Sequence, residues 1–110
     1  MNAESKTPDV LSKMVDVLVR EYQPEKIVLF GSYAYGTPHA DSDFDLLIVK
    51  DSPQPFFQRL FEVRHLVSEV RRGYAFDFIV LSPVEIEERL QRGNQFIKEI
   101  LERGVVMYAR

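Results

Sequence analysis

The pattern of apolar and polar positions along the 110-residue chain changes period several times, and each change marks a predicted element. Val10, Leu11, Met14, Val17 and Leu18 recur at helical spacing, so a helix with one apolar face is expected through about Tyr22. Thr7 as cap and Pro8 at the first helical position are its expected start, and residues 1–7 ahead of it are polar and expected to be loose. Gln23-Pro24-Glu25 breaks the pattern. Lys26 to Phe30 is a short, branched, almost wholly apolar run, read as a strand buried on both faces. A second apolar strand is expected from Asp43 to Val49 and a third from Tyr74 to Leu81. Between these two, a helix is expected from about Pro55 to Arg72, with Phe57, Leu60, Phe61, Arg64, Val67 and Val70 near one side and Gly73 ending it. Ser82-Pro83-Val84-Glu85 has the form of a capping box and predicts a helix through about Gln91. After the Gly93-Asn94 break, a short helix from Gln95 to Glu102 and an edge strand from Val105 to Tyr108 complete the chain.

This order of elements predicts an α/β fold, a small mixed β-sheet flanked by helices. The length corresponds to one domain spanning residues 1–110, and no internal repeat divides it. Composition narrows the chemistry. A net charge of -3 argues against a general nucleic-acid-binding surface. The absence of cysteine excludes disulfides and thiolate metal sites and makes a reducing compartment, the cytoplasm, the expected location. No apolar run approaches the roughly 18 residues of a membrane span.

Two junctions carry the candidate chemistry. The first strand ends abruptly in Gly31-Ser32, and ten residues later Asp43-Phe44-Asp45 leads into the second. Side chains alternate along a strand, so Asp43 and Asp45 share a face, with Cα atoms roughly 6.5–7 Å apart from the strand rise. Paired carboxylates without an intervening cation suit Mg²⁺ or Mn²⁺; an Asp-rich turn ahead of a strand is the plainer alternative. Asp77 stands inside the third apolar strand, where a buried carboxylate would need a cation. Arg71 or Arg72 is one candidate, and a metal shared with Asp43 and Asp45 is the other. Gly31 leaves room for a sharp turn or a close approach, and a helical turn opened by Ser32 would present N–H groups to a phosphate.

The run Leu29-Phe30-Gly31-Ser32-Tyr33-Ala34-Tyr35-Gly36, followed by Ser42-Asp43-Phe44-Asp45-Leu46-Leu47-Ile48-Val49 and a carboxylate on a later strand, resembles the signature of the nucleotidyltransferase superfamily related to DNA polymerase beta. The short chain is similar to its minimal members, and among these to the antitoxin partners of HEPN-domain toxins (the higher eukaryote and prokaryote nucleotide-binding domain). The resemblance implies the polymerase beta-like nucleotidyltransferase fold, with Gly31 and Ser32 at the β- and γ-phosphates of ATP. It also implies Mg²⁺ ions on Asp43 and Asp45, and Asp77 completing the site and helping to activate the acceptor. The implied reaction is AMP transfer from ATP to a hydroxyl of a HEPN partner protein, with pyrophosphate leaving. Neutralisation of that partner by binding alone and transfer to a small molecule are the alternatives. The chain departs from the family pattern at Tyr35, where many members carry arginine.

Several other residues have two readings each. Lys50 could reach a phosphate or a partner, or be a solvated strand-end charge. Arg59, Arg64, Arg71 and Arg72 give the long helix a basic side, which could meet an acidic partner, a tRNA or a nucleotide, or simply be a solvated face with nearby glutamates. Tyr33 and Tyr35 could stack on a base, line an interface or pack the turn against the core. His39, in the Gly-rich connection, is either a base or ligand or an ordinary loop histidine, and His65 on the long helix is read as a surface or packing residue.

Overall fold

The computed structural model describes residues 9–36, 38 and 43–110. The expected Thr7-Pro8 helix start, the 1–7 segment, His39 and the Asp41-Ser42 turn lie outside the described residues. The elements follow in the order α1 (Asp9–Glu21), β1 (Lys26–Phe30), α2 (Ser32–Tyr35), β2 (Phe44–Val49), α3 (Phe56–Leu66), β3 (Phe76–Leu81), α4 (Pro83–Gln91), α5 (Gln95–Arg103) and β4 (Val105–Ala109).

The four strands form one mixed sheet in the order β3-β2-β1-β4. β1 pairs antiparallel with β2 and with β4, while β2 and β3 run parallel. Alternation along the strands divides the interior into two layers. Ile27, Leu29, Leu46, Ile48, Phe78 and Val80 meet Leu11, Met14 and Leu18 of α1 and Val63 of α3 on one face. On the other, Val28, Phe30, Leu47, Val49 and Leu81 meet Ile97 and Ile100 of α5. The central strands are thus buried on both sides, which is why they read as unbroken apolar runs. The capping box forms as expected: Ser82 Oγ accepts from the Glu85 N–H at 3.2 Å, and Glu85 Oε1 accepts from the Ser82 N–H at 2.8 Å.

The long helix differs from its expectation. α3 stops at Leu66, and turns carry the chain on to Gly73, whose φ is +85°. Its inward face also differs: Phe57 and Phe61 are 78% and 73% exposed, while Arg59 is 3% exposed. The reason is an ion pair. Arg59 Nη2 donates to Glu85 Oε1 and Oε2 at 2.8 and 2.9 Å, so its guanidinium ties α3 to the start of α4. Arg59 therefore does not belong to a basic surface, and Arg72 pairs with Glu69 at 3.0 Å. Among the described residues no helix is long and apolar enough to cross a membrane.

Candidate active site

β1 ends at Phe30, and Gly31 turns the chain into α2. Tyr35 N–H and Ala34 N–H both donate to the Gly31 carbonyl at 3.0 Å, which closes the turn. Gly31 has φ +78° and ψ -163°, a conformation open essentially to glycine alone. The close approach expected here has an identifiable neighbour. Phe30 and Asp45 are register partners across β1 and β2. A Cβ on Gly31 would overlap Asp45 Oδ2 and stand 3.1 Å from its Cγ. The missing side chain makes the space that the Asp45 carboxylate occupies.

Parallel pairing of β2 with β3 sets Asp45 directly beside Asp77. Both strands present their aspartates on the face that carries Leu47, Val49 and Leu81, the side covered by α5. Asp43, just ahead of β2, has the same parity, and its carboxyl is in hydrogen-bonding contact with that of Asp77. The three sequence-predicted carboxylates and the Gly31 turn are therefore brought together. Burial, followed by the charges of Asp77 and Asp43, pushes the Asp45 carboxyl up from 3.8 to about 6. Partial burial and the contact with Asp43 raise Asp77 as well, against the pull of Arg64.

Asp77 is not buried as its apolar neighbours suggested. It is exposed, because β3 is an edge strand and Asp77 lies at its beginning. Its nearby cation is Arg64 rather than Arg71 or Arg72. Among the described residues no three His, Asp or Glu side chains are closed about one point as a preformed metal cage. Asp43 and Asp77 share a hydrogen bond and Arg64 partly offsets the charge at Asp77, while Asp45 keeps the charges of Asp77 and Asp43 beside it; oxygen donors of this kind are the type a hard divalent cation such as Mg²⁺ takes.

The tyrosines of α2 diverge. Tyr33 stacks on Phe44 at 4.2 Å between centroids, and Phe44 stacks on Phe76 at 4.9 Å, fastening the turn to the α1 side of the sheet. Tyr35 packs on the opposite side, under the guanidinium of Arg103, whose Cζ lies 4.1 Å from the ring centroid. Nothing in the sequence pattern joins Arg103 to this turn. Lys50 is remote from the carboxylates, at the other end of β2. Its Nζ donates to the Tyr22 carbonyl at 2.6 Å, a contact suited to a helix C-terminus. A cavity of about 500 Å³ at that end is lined by Tyr22, Lys50, Glu62 and His65 among others. None of the three carboxylates lines it. Burial and the Glu62 carboxylate push the Tyr22 phenol there up to about 12.

The family profile described as Nucleotidyltransferase domain matches residues 11–107. The chain belongs to this nucleotidyltransferase domain family. Two relatives from Methanocaldococcus jannaschii align over nearly their whole lengths. Putative protein adenylyltransferase MJ1379 is 25% identical over 107 residues, 96% of this chain and 98% of its own. Putative protein adenylyltransferase MJ0604 is 31% identical over 102 residues, 89% of this chain and 94% of its own. The crystal structure of a putative nucleotidyltransferase from Sulfolobus solfataricus superposes with a TM-score of 0.60 at 25% identity, covering 92% of this chain and 78% of that one. The mixed four-stranded sheet with helices on both faces is thus a nucleotidyltransferase fold, and the Gly31 turn and three aspartates stand within the matched region of the nucleotidyltransferase domain.

Proposed function

We propose that the protein is a Mg²⁺-dependent adenylyltransferase that transfers AMP from ATP to a hydroxyl of a partner protein, as the antitoxin of a HEPN-domain toxin. The observation that carries this reading is the lateral register of Asp45 with Asp77 beside Asp43 and the Gly31 turn. Mg²⁺, when held by Asp43, Asp45 and Asp77, supplies charge stabilisation for the attacking and leaving oxygens. The chain's own part is positional. Gly31 and Ser32 receive the β- and γ-phosphates. The acceptor oxygen attacks the α-phosphorus in line, forming the new O–P bond as the bond to the β-phosphate bridging oxygen breaks and pyrophosphate departs. Asp77, exposed at the sheet edge, is reachable by an incoming protein and takes the hydroxyl proton.

Incubation with labelled ATP, Mg²⁺ and a HEPN partner tests the reading. Label should pass to the partner and be lost with Asp43→Asn. Failure to transfer with any divalent metal, or transfer that survives the substitution, rejects it.

A second reading is favoured by one observation. Phe57 and Phe61, one turn apart on α3, are both largely exposed and offer an apolar stripe to a protein partner. In that reading binding alone neutralises the toxin. Neutralisation in cells that survives Asp43→Asn combined with Asp45→Asn would support it; loss of neutralisation with the complex intact would exclude it.

A further inference from the structure

Three features converge on the end of α5. Helix α5 is anchored beside the Gly31 turn: Phe96 meets Phe30 edge to face at 5.8 Å, and Ile97 and Ile100 pack in the same layer as Phe30 and Tyr35. Its exit is held close to β1. A Cβ on Gly104 would come within 2.5 Å of Val28 Cγ1 and 3.0 Å of the Leu29 carbonyl, so only glycine lets the chain pass. Val105 then pairs with Leu29 in the antiparallel β1–β4 ladder. Reading that register backwards sets Arg103 level with the Gly31 turn, on the sheet face that carries Asp43, Asp45 and Asp77.

Here the Arg103 guanidinium lies on the Tyr35 ring, with Cζ 4.1 Å from the centroid, and its Nη1 donates to Glu99 at 2.9 Å. The ring and the carboxylate fix its direction, while 56% of the side chain remains exposed. A guanidinium so held keeps N–H groups open to a further acceptor, and its planar fork matches the oxygens of a phosphate. The three carboxylates repel a polyphosphate, and a cation beside the same turn gives that chain a direction to run.

We infer that Arg103, seated on Tyr35, is a binding residue for the terminal phosphates of the nucleoside triphosphate. The inference rests on the nucleotide reading of the Gly31-Ser32 turn and adds a specific residue to it. Tyr35 is the platform that aims the guanidinium, and Glu99 is the brace that limits its swing.

The test is affinity for ATP, ADP and AMP in the presence of Ca²⁺, measured calorimetrically on the full chain. Arg103→Ala should weaken ATP by about tenfold, the loss of one charge-assisted contact, and AMP by less than about twofold. Arg103→Lys should recover part of the loss, and Tyr35→Phe, which keeps the ring, should lose less affinity than Tyr35→Leu. Tyr35→Leu should follow Arg103→Ala. Arg20→Ala, which removes the same charge from α1, should leave affinity unchanged. Equal ATP affinity in Arg103→Ala and the unaltered chain would overturn the inference, as would an equal loss for AMP and ATP. If the unaltered chain binds no ATP, the nucleotide reading itself falls, and the role of Arg103 falls with it.

Discussion

Gly31→Ala separates what the turn does for the backbone from what it does for Asp45. The residue sits at φ +78° and ψ -163°, and an alanine held there costs on the order of 1–3 kcal/mol. The added methyl also overlaps Asp45 Oδ2. Relief requires Asp45 to leave its rotamer, at about 0.5–1.5 kcal/mol. Together the substitution should remove about 2–4 kcal/mol, a fall in Tm of roughly 10–15 °C for a domain of this size. Urea unfolding measures the loss directly as a lower midpoint at unchanged slope. A double-mutant cycle then isolates the carboxylate: in an Asp45→Ala background the side-chain part disappears and only the backbone part remains, giving a coupling of about 1 kcal/mol. On the proposed nucleotidyl-transfer reading, activity of Gly31→Ala should fall by about 100-fold, because an Asp45 carboxylate pushed aside by the added methyl no longer stands where the site needs it. An equal penalty with and without Asp45 would refute the argument that Gly31 serves the carboxylate.

Other outcomes follow from the same physical terms. Glu85→Gln leaves Arg59 buried without its counter-charge and should cost about 3–5 kcal/mol in chemical unfolding. Burial works against ionisation of Glu85, but the Arg59 guanidinium and the Ser82 N–H hold its carboxyl below the ordinary value. This contribution is therefore present above the ordinary glutamate range and is lost as pH falls through the lowered value, and Glu85→Gln should flatten that acid limb. Asp45 has the opposite sign. Its raised value means that stability in chelator is full below pH 3.8 and declines as pH rises to about 6. After discounting for solvent screening the decline is about 1 kcal/mol, and thermal melts should show it abolished by Asp45→Asn. Phe57→Ser with Phe61→Ser should change stability by no more than about 0.5 kcal/mol each, since both rings are exposed, while complex formation with the partner falls in pull-down.

Much of this site was legible in the chain because its chemistry sits at local junctions. An apolar strand ending in Gly31-Ser32 and another beginning after Asp43-Phe44-Asp45 are visible as abrupt changes of pattern, and both strands form where that pattern places them. Asp77 stood out in the sequence because a carboxylate inside an apolar strand is costly, and the parallel pairing of β2 with β3 is what sets it beside Asp45. Its exposure was not legible, since burial depends on strand order, and β3 lies at the edge. The face of α3 was misread for a different reason. Apolar periodicity assigns phenylalanine inside and arginine outside, whereas Glu85 on a later helix reverses that choice for Arg59. Long-range charge pairing leaves no periodic trace.

The same reasoning explains why Tyr35 and Arg103 could not be joined from sequence. Taken alone, Tyr35 is an uncharged aromatic at the end of a four-residue helical turn, and Arg103 is an ordinary helix-terminal arginine. Only the β1–β4 register and the close passage of Gly104 bring α5 beside the first turn. Once they meet, the aromatic ring and the distant guanidinium make one unit on the carboxylate face, with Glu99 pairing one edge of the cation. The consequence is separable by experiment: exchanging the two side chains, Tyr35→Arg with Arg103→Tyr, should retain more ATP affinity than Tyr35→Leu with Arg103→Ala, measured at equal ionic strength. Equal losses in the two double variants would show that charge at this turn is not what the pair contributes.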